Sequence, residues 1–117
     1  MKDSATSVAK VTKVAENQNG KFRLKIYRVR GEVLVAVCDA ELIGKTFKEG
    51  DLKIEVKESF YGDREVGEKE VIEALRMATI ANITGKRAVE LAIRIGVINK
   101  DNVLKIGDCW HAQMVLL

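Results

Sequence analysis

At 117 residues, 47% of them hydrophobic and 32% charged, with a net charge of +3, the chain has the size of one domain and the apolar content for one core. No stretch approaches the about 20 apolar residues that cross a bilayer, and the polar N-terminus lacks the apolar segment of a secretory signal. The two cysteines, Cys38 and Cys109, lie far apart in no C-x-x-C pair, which excludes a disulfide framework or zinc ribbon and leaves a cytoplasmic protein with buried free thiols as the expectation. One Cys38–Cys109 bridge stays open, because the proline-free, charge-rich composition resembles that of hyperthermophile proteins.

The charge is unevenly placed. Residues 1–30 carry eight Lys/Arg against Asp3 and Glu16, whereas the remainder carries 12 bases and 15 acids. Such asymmetry accompanies anionic partners such as nucleic acid, although a basic face also serves solubility alone. Residues 1–20 are polar and end in Asn-Gln-Asn-Gly, a run with turn preference and little to bury. They read as a flexible basic extension to a single α+β domain over 21–117. Val8, Val11, Val14 and Ala15 have helical spacing, which leaves open a short helix formed against a partner.

From Lys21 the period changes to two. Phe22, Leu24 and Ile26 alternate with Lys21, Arg23, Lys25 and Tyr27, as in a half-buried strand. Arg30-Gly31 turns the chain into Val33 to Cys38, an unbroken apolar run suited to a central strand covered on both faces. Asp39 to Gly50 suits a short helical turn or irregular crossing. Leu52, Ile54 and Val56 give a third strand, broken by Gly62-Asp63.

Gly67 opens a helix to about residue 81, with Glu68 and Glu70 at its positive end and Val71, Ile72, Leu75 and Thr79 as its stripe. A second helix spans about 85–95, with Ala88, Leu91, Ala92 and Ile95 on one face and Gly96 as C-terminal cap. Val103 to Ile106 and Trp110 to Leu116 are closing strands around Gly107-Asp108. The sum is an α+β fold: a roughly five-stranded, mostly antiparallel sheet covered by a pair of packed helices.

Three sets of residues carry candidate chemistry. In Thr84-Gly85-Lys86-Arg87, Thr84 is placed to cap the second helix, and two bases occupy a first turn whose dipole disfavours them. Free N–H groups beside Lys86 and Arg87 would hold a phosphate; the bland reading pairs both bases with acids such as Glu90 or Glu73. The outer face of the first strand, Lys21, Arg23, Lys25 and Tyr27, interleaves bases with one aromatic, a pattern that holds RNA phosphates while a base stacks. Third, the single histidine, His111, shares a strand face with Cys109, Gln113 and Val115. A dyad with Cys38, or a metal site with Cys38, Asp108 and Cys109, needs contacts that spacing does not demonstrate, and a hydrogen-bonded, partly buried histidine is the simpler reading. No phosphate-binding loop, dinucleotide fingerprint or G-x-S-x-G occurs, and no cofactor or metal is expected.

Several ordered segments carry a resemblance: Gly31 to Asp39, Leu42 to Phe47, Glu58-Ser59-Phe60-Tyr61-Gly62, Ala78 to Ala92, and His111-Ala112-Gln113. Over about Lys21 to Val115 the chain resembles an archaeal family called domain of unknown function 424. The resemblance implies an archaeal cytosolic source and an association with translation or RNA. It assigns no reaction, so no catalytic residue is carried over. The leading expectation is therefore a non-catalytic RNA-binding or translation-associated accessory protein, with RNA, a ribonucleoprotein or a translation-related protein as partner and no membrane. A protein-interaction module and a small enzyme with a Cys/His site are the alternatives.

Overall fold

The computed structural model describes residues 21–117, and the expected basic extension lies outside the described residues. Strands β1 (Phe22–Val29) and β2 (Glu32–Asp39) form the expected hairpin, turned by Arg30 and Gly31 at φ 53° and 81°. Two positive-φ residues suit a two-residue turn whose twist matches that of its strands. Alternation then sorts the side chains: Phe22, Leu24, Ile26, Val33, Val35 and Val37 lie on one face, and Tyr27, Leu34, Ala36 and Cys38 on the other. Because β2 is covered on both faces, both of its rows are apolar.

The next segment departs from expectation. After a 3-10 turn at Ala40–Leu42, strand β3 (Thr46–Glu49) stands where an irregular crossing is expected, and β4 (Leu52–Glu55) pairs with β3 alone in a two-stranded ribbon. Phe47 faces Ile54 across the ribbon. With one apolar residue in four, β3 is too short for its alternation to show. Helix α1 (Glu58–Tyr61), a single turn, and the short strand β5 (Glu65–Val66) follow.

Helix α2 (Glu68–Met77) starts as expected but ends before residue 81, because Ile80–Thr84 form strand β6. Ala78 is already extended at φ −70° and ψ 140°. Ile72, Leu75 and Thr79 do have helical spacing, yet the β-branched Thr79, Ile80, Ile83 and Thr84 fit a pleated surface better. Thr79 is fixed by its hydroxyl, which accepts from the Val33 N–H at 2.8 Å and donates to the Val33 carbonyl at 3.2 Å. Helix α3 (Lys86–Arg94) occupies the expected span, with Gly96 at φ 83° closing it. A 3-10 turn at Lys100–Asn102 leads into β7 (Leu104–Ile106) and β8 (Cys109–Val115).

The main sheet has six strands in the order β5-β1-β2-β6-β8-β7, antiparallel except between β2 and β6. The α+β class and mostly antiparallel sheet are as expected; the strand count and the place of Leu52–Glu55 are corrected. A parallel neighbour demands a long crossover, and residues 40–79 supply it. Helices α2 and α3 cover the face that includes Val35, Val37, Ala81 and Ile83. The ribbon and α1 cover part of the opposite face through Val56, Tyr61, Phe47 and Phe60. Among the described residues no helix is long and apolar enough to cross a membrane.

Since Ile83 is fully buried in β6 and Leu52 is 46% exposed at the ribbon tip, Ile83→Ala should cost about 2–5 kcal/mol. Leu52→Ala should cost about 0.5 kcal/mol or less. Urea denaturation of both variants measures the difference.

Candidate functional site

The second expected helix start is built differently from its sequence reading. Its N-cap is Gly85, at φ 108° and ψ 148°, and no side chain of its own segment caps it. Asp39, at the end of β2 and 3% exposed, supplies the acceptor instead: its carboxylate takes the N–H of Arg87 at 3.1 Å and of Ala88 at 2.8 Å. These two N–H groups, expected to be free for a phosphate, are thus occupied by the chain's own anion. Burial pushes the Asp39 carboxyl above its ordinary pKa, and the two amide bonds hold it partly down. Glycine is needed at 85 because a Cβ there would collide with the Asp39 carboxylate.

The bases beside it are also engaged. The Arg87 guanidinium donates to both Glu41 oxygens, at 2.7 and 3.0 Å, and to the Lys21 carbonyl at 2.6 Å. Lys86 lies over the Trp110 ring at 5.5 Å, with Lys105 over the same ring at 5.0 Å. Neither base uses Glu90 or Glu73.

The outer face of β1 is a clamp. Arg23 donates to Glu58 at 3.0 Å and to the Gly62 carbonyl at 2.9 Å, Lys25 reaches the Ser59 carbonyl at 3.3 Å, and the Tyr27 hydroxyl donates to the Phe60 carbonyl at 2.7 Å. Tyr27 stacks on Phe60 with ring centroids 5.7 Å apart. These donors meet carbonyls left over by a helix of one turn. Arg23, Lys25 and Tyr27 therefore fasten α1 over the sheet rather than standing open as a row.

What α1 closes is a cleft of about 460 Å³ between the ribbon and the sheet. Its floor includes Asn82, His111 and Gln113, its walls Phe60, Tyr61 and Leu104, and its rim Lys53, Glu55 and Lys57. Cross-strand register sets Cys38, Thr84, His111 and Leu104 in one row, with Asn82 and Gln113 in the next. Thr84, expected as a helix cap, instead lies fully buried beneath this cleft. Its hydroxyl is 2.8 Å from the Tyr61 hydroxyl and 2.9 Å from His111 Nδ1, while Tyr61 donates to Asn82 Oδ1 at 2.6 Å.

Counting protons orients this network. The single Tyr61 proton goes to Asn82, whose oxygen only accepts, so Tyr61 accepts from Thr84, and Thr84 accepts from His111 Nδ1–H. Nε2 is then the acceptor for the Gln113 amide, 3.1 Å away. Burial lowers the His111 pKa and keeps the ring neutral, while it pushes the Tyr61 hydroxyl up to about 12. The floor therefore presents uncharged hydrogen-bonding groups under two ammonium groups.

The cysteines are free and buried. Burial pushes the Cys38 thiol up to about 12 and also raises that of Cys109. Thiolate is the nucleophilic form, so Cys38 is held in its unreactive state. Thr84 stands between Cys38 and His111 in the register and takes the imidazole bond that a dyad would need. Among the described residues no three His, Cys, Asp or Glu side chains group to hold a metal ion.

A family described as protein of unknown function (DUF424) matches residues 27–117. The chain belongs to this family. The matched span of DUF424 contains every residue of the cleft named above and leaves Lys21, Arg23 and Lys25 outside it. No curated protein matches the chain. The fold is similar to the crystal structure of an uncharacterized conserved protein from Methanopyrus kandleri, with 24% identity, a TM-score of 0.68, and coverage of 82% of this chain and 91% of that one.

Sequence reasoning missed Asp39, Tyr61, Asn82 and Gln113 as site residues. Asn82 and Thr84 are two apart, as are His111 and Gln113, so the signal was a polar i, i+2 pair on each of two strands. Recognising β6 would have exposed it.

Asp39→Ala leaves the buried N–H of Ala88 and the partly buried N–H of Arg87 without their acceptor and should cost about 1–3 kcal/mol in urea denaturation. Nitrogen NMR should find His111 neutral and protonated on Nδ1 at pH 7. The unfolded chain takes up its imidazole proton near the ordinary 6.5, where the folded chain resists it. The His111 contribution to stability is therefore complete above that pH and is lost as pH falls toward the lower folded value. His111→Gln should flatten that acid limb.

Proposed function

We propose that this protein is a non-catalytic RNA-binding accessory protein of translation in the archaeal cytosol, and that unpaired RNA enters the cleft beneath Lys53 and Lys57. The observation that carries the reading is the neutral floor of Asn82, His111 and Gln113 under a lysine rim. The Asn82 and Gln113 amides bond the edges of a splayed base, with His111 holding Gln113 in place, the rings of Phe60 and Tyr61 line the wall, and ammonium groups attract the phosphates on either side. Such a site is weakly sequence-selective, since most of its affinity would come from counterion release.

Glu55 regulates that rim. It lies 3.3 Å from the Lys53 ammonium and 3.4 Å from that of Lys57, and these two cations hold its pKa below the ordinary carboxylate value. An incoming phosphate has to displace this carboxylate from one or both lysines. Removing the Glu55 charge should therefore tighten RNA binding, an outcome opposite to that of removing the lysines.

A protein-interaction module is the second reading. It is favoured by an apolar groove of about 380 Å³ lined by Tyr27, Val29, Leu34, Phe60 and Ile80 at the open end of the same sheet face. Apolar contacts tolerate salt, whereas phosphate contacts do not.

Fluorescence anisotropy with a labelled single-stranded RNA of mixed sequence, over a series of salt concentrations, separates the two. Lys53→Ala/Lys57→Ala should weaken binding and reduce the slope of log affinity against log salt by roughly 1.4, the value for two single-strand phosphate contacts. Glu55→Gln should strengthen it. No binding at low salt, or equal slopes for both proteins, would contradict the RNA reading.

A further inference from the structure

Strand β1 is the second strand of the sheet, yet its outer partner β5 pairs only with Phe22 and Arg23. The main-chain geometry shows what the rest of that edge offers. The Lys21 carbonyl accepts from Ala40 on the β2 side at 3.0 Å, so odd-numbered residues of β1 turn toward β2 and even-numbered ones turn outward. Consistent with this, a Cβ at Gly62 would sit 3.1 Å from the Leu24 carbonyl on the outer side. Beyond that contact, the N–H and C=O of Ile26 and Arg28 face outward with no main-chain or side-chain partner among the described residues. A groove of about 550 Å³ runs alongside, lined by Leu24, Lys25, Ile26, Ser59, Asp63 and Arg64.

We infer that this edge accepts an extended, acidic peptide segment of a partner protein, which adds a strand outside β1 in line with β5. The site is distinct from the RNA cleft and does not depend on it. Two outward-facing residues in register supply two donors and two acceptors at strand spacing, and an extended main chain is the chemistry that satisfies all four. Charge selects the sequence. Arg28 and Arg30 are exposed and form no ion pair among the described residues. Glu58 is paired with Arg23 and Arg64 with Glu70, leaving Asp63 as the acid at the closed end of the groove. Acidic side chains on the partner therefore belong at the Arg28 end, away from Asp63.

A second copy of the chain fits less well than an acidic strand, because it would bring the unpaired Arg28 and Arg30 of one edge against those of the other. Symmetric pairing centred on Arg28 would set that guanidinium directly opposite itself, which is destabilising. Pairing centred on Ile26 would bring the incoming strand opposite Leu24, whose carbonyl lies so near Gly62 that a Cβ there would stand 3.1 Å from it.

The test uses the full nitrogen-15-labelled chain and an eight-residue peptide of alternating Glu and Val, read by amide hydrogen exchange. Addition of peptide should protect the Ile26 and Arg28 amides. N-methylation of the peptide at alternate residues should abolish that protection, and an alternating Lys and Val peptide should fail to give it. Arg28→Glu/Arg30→Glu should weaken the acidic peptide by at least about tenfold, since matched charges become like charges. Unchanged exchange at saturating peptide, or equal binding of the N-methylated peptide, would overturn the proposal. Protection of the same amides without peptide would also overturn it, in favour of self-pairing if it grows with concentration and of residues 1–20 if it does not. In the Arg28→Glu/Arg30→Glu variant, RNA binding should still fall on Lys53→Ala/Lys57→Ala and rise on Glu55→Gln, so either reading can fail alone.

Discussion

A continuous hydrogen-bond chain from Gln113 through His111, Thr84 and Tyr61 to Asn82 ties together β8, β6 and α1. It answers a single constraint: polar groups removed from water must find partners, at a cost of about 1–3 kcal/mol for each that does not. Thr84 is fully buried and Tyr61 is 3% exposed, so neither has water as an alternative. Their mutual bonding fixes α1 against the sheet, and the β1 side chains Arg23, Lys25 and Tyr27 hold it from the other side. With α1 fixed, the ribbon of β3 and β4 has a surface to pack against, through Phe47, Val56 and Phe60. The cleft exists because these three elements meet along one side of the sheet and leave the Asn82 and Gln113 row open.

The electrostatics follow a division of labour. Basic residues near β1 and the start of α3 stabilise the fold locally, in bonds to carbonyls and to Glu41 and Glu58. Asp39 is the anion at the N-terminus of α3, where the macrodipole favours negative charge, and this removes the conflict that two bases in the first turn would otherwise create. Lys53 and Lys57, in contrast, share one exposed carboxylate at the cleft mouth. A solvent-screened pair of this kind holds its partners weakly and exchanges them readily. That difference is the reason for assigning ligand binding to the ribbon side and not to the basic beginning of the chain.

Elements long enough to complete their own pattern were legible in the sequence. The β1–β2 hairpin showed in alternation followed by an apolar run, α3 in its apolar stripe and Gly96, and β7–β8 in the Gly107-Asp108 break. Strand β6 was hidden because Ile72, Leu75 and Thr79 continue a helical spacing across the real helix end at Met77, so the beginning of the strand that pairs in parallel with β2 read as helix. Strand β3 was hidden by brevity. The family resemblance held for residues 27–117, although a family description without a reaction adds no chemistry. His111 and Thr84 were both singled out from the sequence, but their contact depends on β6 lying beside β8, which local pattern does not encode. Asp39 was invisible for the same reason, since it caps a helix more than forty residues away.

The central claim is that the neutral floor of the cleft receives an RNA base. The most direct measurement is side-chain NMR of the full protein titrated with a short single-stranded RNA, following the Asn82 and Gln113 amide groups and the His111 imidazole. The account predicts that these three signals shift together, with saturation at one RNA per protein, while signals from α2 stay unmoved. Shifts confined to Lys86, Arg87 and Trp110, or no change at the floor when RNA is bound, would contradict it.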